Sequence, residues 1–116
     1  MLALLLSAAL SPGPIQVTEC STEPVRHAHS VEQRAVVSFV NTAQVAAIQV
    51  SFQLSSSDDA KVVQRFTDRG TFSPNVPIKQ HKFDTSLLSD PVEHPVCSVL
   101  EAKFADGSTW LPSPQP

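Results

Sequence analysis

Two histidines, His27 and His29, stand one residue apart. On an extended backbone, residues i and i+2 project from the same face, so imidazoles at this spacing can grip Cu²⁺ or Zn²⁺. His81 and His94 would complete such a ligand set only if the fold gathered them. The competing reading is two solvated histidines in a polar linker over 21–34. Cys20 and Cys97 lie 77 positions apart and lack the C-x-x-C spacing of a zinc site. In an exported chain, an even cysteine count points instead to a disulfide. Closing a loop of that length removes denatured-state entropy worth about 4.5 kcal/mol in the chain-entropy picture.

Signals for catalysis are weak. Serines are numerous, but no G-x-S-x-G elbow presents one as a nucleophile. The adjacent carboxylates Asp58 and Asp59 sit in a polar run and read as solvated turn formers, without the D-x-D-x-D-G ligand series of a calcium loop. The chain therefore reads as non-enzymatic and as needing no cofactor. Lys79, His81 and Lys82 form a small basic cluster on one polar stretch. Lysines there discourage edge-to-edge strand pairing, and the cluster is also a candidate face for an anionic ligand. No phosphate-cradling glycine loop and no N-glycosylation sequon occurs, since Asn41 precedes Thr-Ala and Asn75 precedes Val-Pro. A net charge of −3, with 16% charged residues, gives no footprint for nucleic acid.

The elements that must position these groups begin with an apolar leader. Residues 1–10 read MLALLLSAAL. That run is about half of the roughly 20 residues a membrane-spanning helix needs. It matches the apolar segment of a secretory signal peptide, with Ser7, Ala8 and Ala9 as a small-residue cleavage context, although no Lys or Arg follows Met1. We assign 1–11 to a signal peptide, 12–34 to an N-terminal segment with the first strand, 35–111 to a β-sandwich and 112–116 to a proline-rich tail.

Within 47–54 the alternation is strict: Ile48, Val50, Phe52 and Leu54 face one way, and Gln49, Ser51 and Gln53 the other. The preceding run 35–41 is rich in valine and phenylalanine, and the short polar break from Asn41 to Gln44 predicts a hairpin between the two. Residues 61–66 form the next strand, with Val62 and Phe66 inward. Gly70 supplies the positive φ of a turn or bulge after Asp68 and Arg69. Residues 78–83 read as an edge strand. Residues 95–104 form a strand that Asp106-Gly107 turns back into a hairpin, with Phe104 and Trp110 as its anchors. Six or seven short strands without an amphipathic helix describe an all-β chain, as a sandwich or a small barrel. The cysteines would tie the first strand to the penultimate one.

The segments Gly70-Thr71-Phe72-Ser73-Pro74 and Phe104-Ala105-Asp106-Gly107-Ser108-x-Trp110, with Phe39-Val40-Asn41, Val50-Ser51-Phe52 and Cys97-x-Val99, resemble small exported bacterial proteins of unknown function. The resemblance covers about residues 35–111. It implies a single immunoglobulin-like antiparallel β-sandwich of about seven strands behind a signal peptide, and it supplies no catalytic residues. Those relatives carry glycine where this chain has Asn75, a residue that also tolerates a left-handed turn.

The expected function is a secreted or periplasmic, non-enzymatic binding or structural module of the cell envelope. Its partner would be a protein or another envelope component, with no nucleic acid and no membrane span in the mature chain. The alternative is a periplasmic copper or zinc binding protein using His27 and His29, and a third reading is a hydrolase hidden in the fold. By analogy with other sandwiches, the contact surface falls on the polar 71–83 region or the 84–95 loop.

Overall fold

The computed structural model describes residues 13–57, 61–88 and 92–112, with the backbone alone over 84–87. The expected signal peptide, the Asp58-Asp59 pair and residues 113–116 of the tail lie outside the described residues. Seven strands follow one another: β1 (Ile15–Arg26), β2 (Val31–Asn41), β3 (Ala47–Ser56), β4 (Val62–Phe72), β5 (Pro77–Leu88), β6 (Pro95–Phe104) and β7 (Thr109–Trp110). They pair antiparallel in two sheets of order β1-β2-β5 and β4-β3-β6-β7, packed as a β-sandwich. The strand between β3 and β5 stays with β3, whereas in a constant-type immunoglobulin domain the equivalent strand joins the other sheet.

Several local expectations are corrected by this arrangement. Strands β2 and β3 form no hairpin, because β1 and β5 occupy both edges of β2 and the chain crosses to the other sheet after Asn41. The 21–34 stretch is no linker; it forms the second half of β1, a turn and the start of β2, so the sandwich begins at Ile15. Ile48 is exposed, and Ala47 takes the inward place. A β-bulge against β6, where Ala47 faces Phe104 but Gln49 faces Lys103, shifts the alternation by one residue. Val62 is exposed while Phe66 is buried, because the β3–β4 register also slips beyond Leu54. Gly70 ends nothing and lacks a positive φ; it lies inside β4, in the bulge between Arg69 and Phe72, with the Phe72 ring close over it.

Other expectations hold. Strand β5 is an edge strand, β6 spans Pro95–Phe104, and Gly107 (φ 91°) turns it into β7. Asn75 takes the left-handed conformation at φ 62°. Trp110 packs at the core's margin over Gly13, whose φ of 83° and lack of a Cβ let the indole lie against the backbone.

Between the sheets, all six phenylalanines are buried. Phe39 lies 5.2 Å from both Phe52 and Phe72, and Phe66 lies 4.4 Å from Phe83. Such ring pairs add about 0.5–1.5 kcal/mol each beyond the area they bury. Val37, Val50 and Leu54 are fully enclosed around them. At the end of this core sits Asn41, also fully enclosed. Its Oδ1 accepts from Ala43 N–H at 2.9 Å, and its Nδ2 donates to Val45 C=O at 2.9 Å and Phe72 C=O at 3.0 Å. The Asn41 carbonyl accepts from Asn75 N–H at 2.7 Å. One amide thus shapes the crossover out of β2 and ties it to the end of β4.

Candidate functional site

Cys20 and Cys97 are bonded, with Cα atoms 5.7 Å apart. Cys20 faces Val37 across β1–β2, and Cys97 faces Leu54 across β3–β6, so both side chains point inward and the bridge joins the two sheets. In antibody domains the bridge runs from the second strand to the sixth-position strand over a tryptophan; here it starts from β1.

His27 and His29 lie in the β1–β2 turn, closed by His27 N–H donating to Ser30 C=O at 2.8 Å. The extended segment that would aim both rings the same way is absent there. His27 Nε2 instead meets Glu32 Oε1 at 2.9 Å. His81 is on β5, and His94 stands in the loop before β6 with φ 48°. Among the described residues, no three His, Cys, Asp or Glu side chains gather as a metal would require.

The Lys79–His81–Lys82 cluster is dispersed by the pleat. Lys82 turns to the outer face of the three-stranded sheet, where its Nζ lies 3.2 Å from Glu23 Oε2. Arg34 meets the same oxygen through Nη2 at 2.6 Å and Nε at 2.8 Å. Arg34 first, and Lys82 second, hold the Glu23 carboxyl below its ordinary range. These three strands are thereby laced across their outer face. Beside them the buried Ser38 hydroxyl donates to Glu19 Oε1 at 2.7 Å and accepts from Gln80 N–H at 2.8 Å.

His81 goes the other way. Between its pairings with Val37 and Phe39, β5 carries an extra residue, and Gln80 sits there at φ 50°. This bulge aims the His81 ring into the seam between the sheets, where Nδ1 is hydrogen-bonded to Asp68 Oδ2 on β4. The Asp68 side chain is 5% exposed and the His81 side chain 44%. With Asp68 ionised, Nδ1 is the donor of this bond and the carboxylate fixes the ring's orientation. That is how a catalytic triad orients its base. Among the described residues, no serine, threonine or cysteine side chain is hydrogen-bonded to Nε2. What the pair does in this geometry is clasp the β4 edge to the β5 edge.

Asp68 was legible only as a strand end, yet it stands two residues beyond Phe66 and so on the same inward face. Burial raises its carboxyl above the ordinary aspartate range, partly offset by His81. A raised native value means a contribution to stability that is complete below the unfolded value and is lost as pH rises through the native one. D68N carries no such proton linkage. In urea titrations its stability relative to the parent chain is therefore expected to improve between pH 3 and pH 7. A difference that does not change with pH would show that Asp68 ionisation is immaterial.

The outer face of the four-stranded sheet is more regular. Three rows cross β4, β3 and β6: Arg65–Gln53–Ser98, Thr67–Ser51–Glu101 and Arg69–Gln49–Lys103, with a bulge at Leu100 on β6 between the first two. Each row has a side-chain hydrogen bond between β4 and β3. Arg65 Nε donates to Gln53 Oε1 at 3.1 Å, Ser51 and Thr67 hydroxyls meet at 3.0 Å, and Arg69 Nε donates to Gln49 Oε1 at 3.1 Å. Sequence reasoning treated these glutamines and serines as merely the solvent side of β3. Their order depends on which strand lies beside which, and that was hidden.

No family model, curated protein or solved structure matches the chain.

Proposed function

We propose that this chain is an exported, non-enzymatic β-sandwich that works by binding at the cell envelope. The observation carrying this reading is the Cys20–Cys97 bridge, because disulfides persist in oxidising compartments such as the periplasm and the extracellular space. The apolar leader and the resemblance to small exported bacterial proteins point the same way. No helix among the described residues is long and apolar enough to cross a membrane. Two side-chain-laced sheet faces on a bridged scaffold suit recognition, since fixed side chains lose little freedom on binding.

The test is direct. Mass spectrometry of the mature chain from its native host is expected to show loss of nine to about fifteen N-terminal residues. Fractionation should place it outside the cytoplasm with the bridge formed. A cytoplasmic chain with Met1 intact would overturn the reading.

A further inference from the structure

We propose that the outer face of the four-stranded sheet binds an acidic polysaccharide, with Arg65 and Arg69 as the principal anion anchors. This deepens the reading of an envelope binding module and rests on it. The three rows hold nine side chains: three cations (Arg65, Arg69 and Lys103) against one carboxylate, Glu101. The chain as a whole carries eight Lys and Arg against eleven Asp and Glu. Positive charge is therefore concentrated on this face, against the sign of the molecule.

The guanidinium groups are also oriented in advance. Each donates its Nε–H to a glutamine on β3. Among the described residues, neither has any other partner, which leaves the two Nη groups as a free fork. A fork of parallel N–H donors fits carboxylate, sulfate or phosphate bidentately. The two arginines are four residues apart on one strand face, which separates their Cα atoms by about 13 Å at roughly 3.3 Å per residue.

Between the anchors lie the hydroxyls of Thr67 and Ser51, with the Glu101 carboxylate at the far end of that row on β6. Those hydroxyls pair with neutral hydroxyls in either sense. The three rows themselves hold no apolar side chain; the exposed Val62 and Val96 flank Ser55 in the next row beyond Arg65, and the vesicle arm of the experiment reads whether they lead this face onto a lipid layer instead. A strip with anion forks at its ends and hydroxyl groups between them matches a polyhydroxylated chain bearing spaced negative charges.

The experiment uses the purified full mature chain with its bridge formed, and measures binding to alginate and heparin oligosaccharides, to neutral dextran, and to phosphatidylglycerol vesicles. Binding to an acidic glycan that weakens with added salt is expected, with none to dextran. R65Q/R69Q is expected to lose roughly tenfold or more in affinity, the worth of one or two charge-assisted hydrogen bonds. R65K/R69K keeps the charge and loses the fork, so it should fall between the two. K79Q removes a cation from β5 and should bind like the parent chain. Absence of binding to both glycans, equal losses in K79Q and R65Q/R69Q, or binding to vesicles alone would each overturn the proposal. An exported chain that binds no glycan refutes this site only, whereas a cytoplasmic chain refutes the broader reading whatever it binds in vitro.

Discussion

Reduction of the Cys20–Cys97 bridge is expected to cost about 2–5 kcal/mol of stability, the range for removing a native disulfide from a small exported domain. The loop it closes spans 77 positions, which places the entropic expectation near the upper end. Domains of this size have a total stability of about 5–15 kcal/mol, so the loss is a large fraction of the whole. At about 4–8 °C per kcal/mol, the melting midpoint should drop by on the order of 8–40 °C. The bridge also spans the core between β1 and β6, so its loss frees the two sheets to separate along that side. Thermal and urea melts with and without a phosphine reductant, and of C20A/C97A, measure the effect. A midpoint that reduction does not move would mean that the sheets hold together without the covalent tie.

The second large effect is expected at Asn41. N41A deletes three side-chain hydrogen bonds and leaves the Ala43 N–H and the Val45 and Phe72 carbonyls short of a partner at a buried site. A typical net contribution is about 0.5–1.5 kcal/mol per bond, and an unsatisfied buried group costs about 1–3 kcal/mol. We expect a loss of about 2–4 kcal/mol. N41D tests the direction of the bonds. A carboxylate can still accept from Ala43 but has no hydrogen to give to the two carbonyls, and it would be a charge in a fully enclosed place. N41D should therefore be worse than N41A at neutral pH and recover part of the difference in acid. Urea midpoints within 0.5 kcal/mol of the parent chain for both variants would show that the crossover is set by other contacts.

Asn41 also shows where sequence reasoning stops. It was legible as a polar break between two strands, and a break it is. Whether the chain then turns back beside β2 or crosses to the facing sheet depends on which neighbours β2 already has, and β1 and β5 supply both. The strands themselves were readable from alternation, as at Val50, Phe52 and Leu54, because period two needs no knowledge of the partner. Ile48 and Val62 were misassigned for one physical cause: a bulge shifts the phase of every residue past it, and a bulge exists only between two strands. His81 fell into a basic cluster by adjacency to Lys79 and Lys82, and the bulge at Gln80 separated them. The Cys20–Cys97 pair was readable from the even count together with the expectation of export. The arginine–glutamine rows were not, since they join residues 12 and 20 positions apart.

The position of the bridge has a mechanical meaning. When a molecule at a cell boundary is pulled from its two ends, the load enters at the chain termini. Here it would pass from residue 20 to residue 97 through two sulfur atoms. The intervening strands β2, β3, β4 and β5, with most of the core, would then lie outside the line of force. Only the segments 13–19 and 98–112 of the described chain can lengthen under such a load, by at most about 3.6 Å per residue. Under such a load the polar rows on β4 and β3 would stay folded behind the bridge.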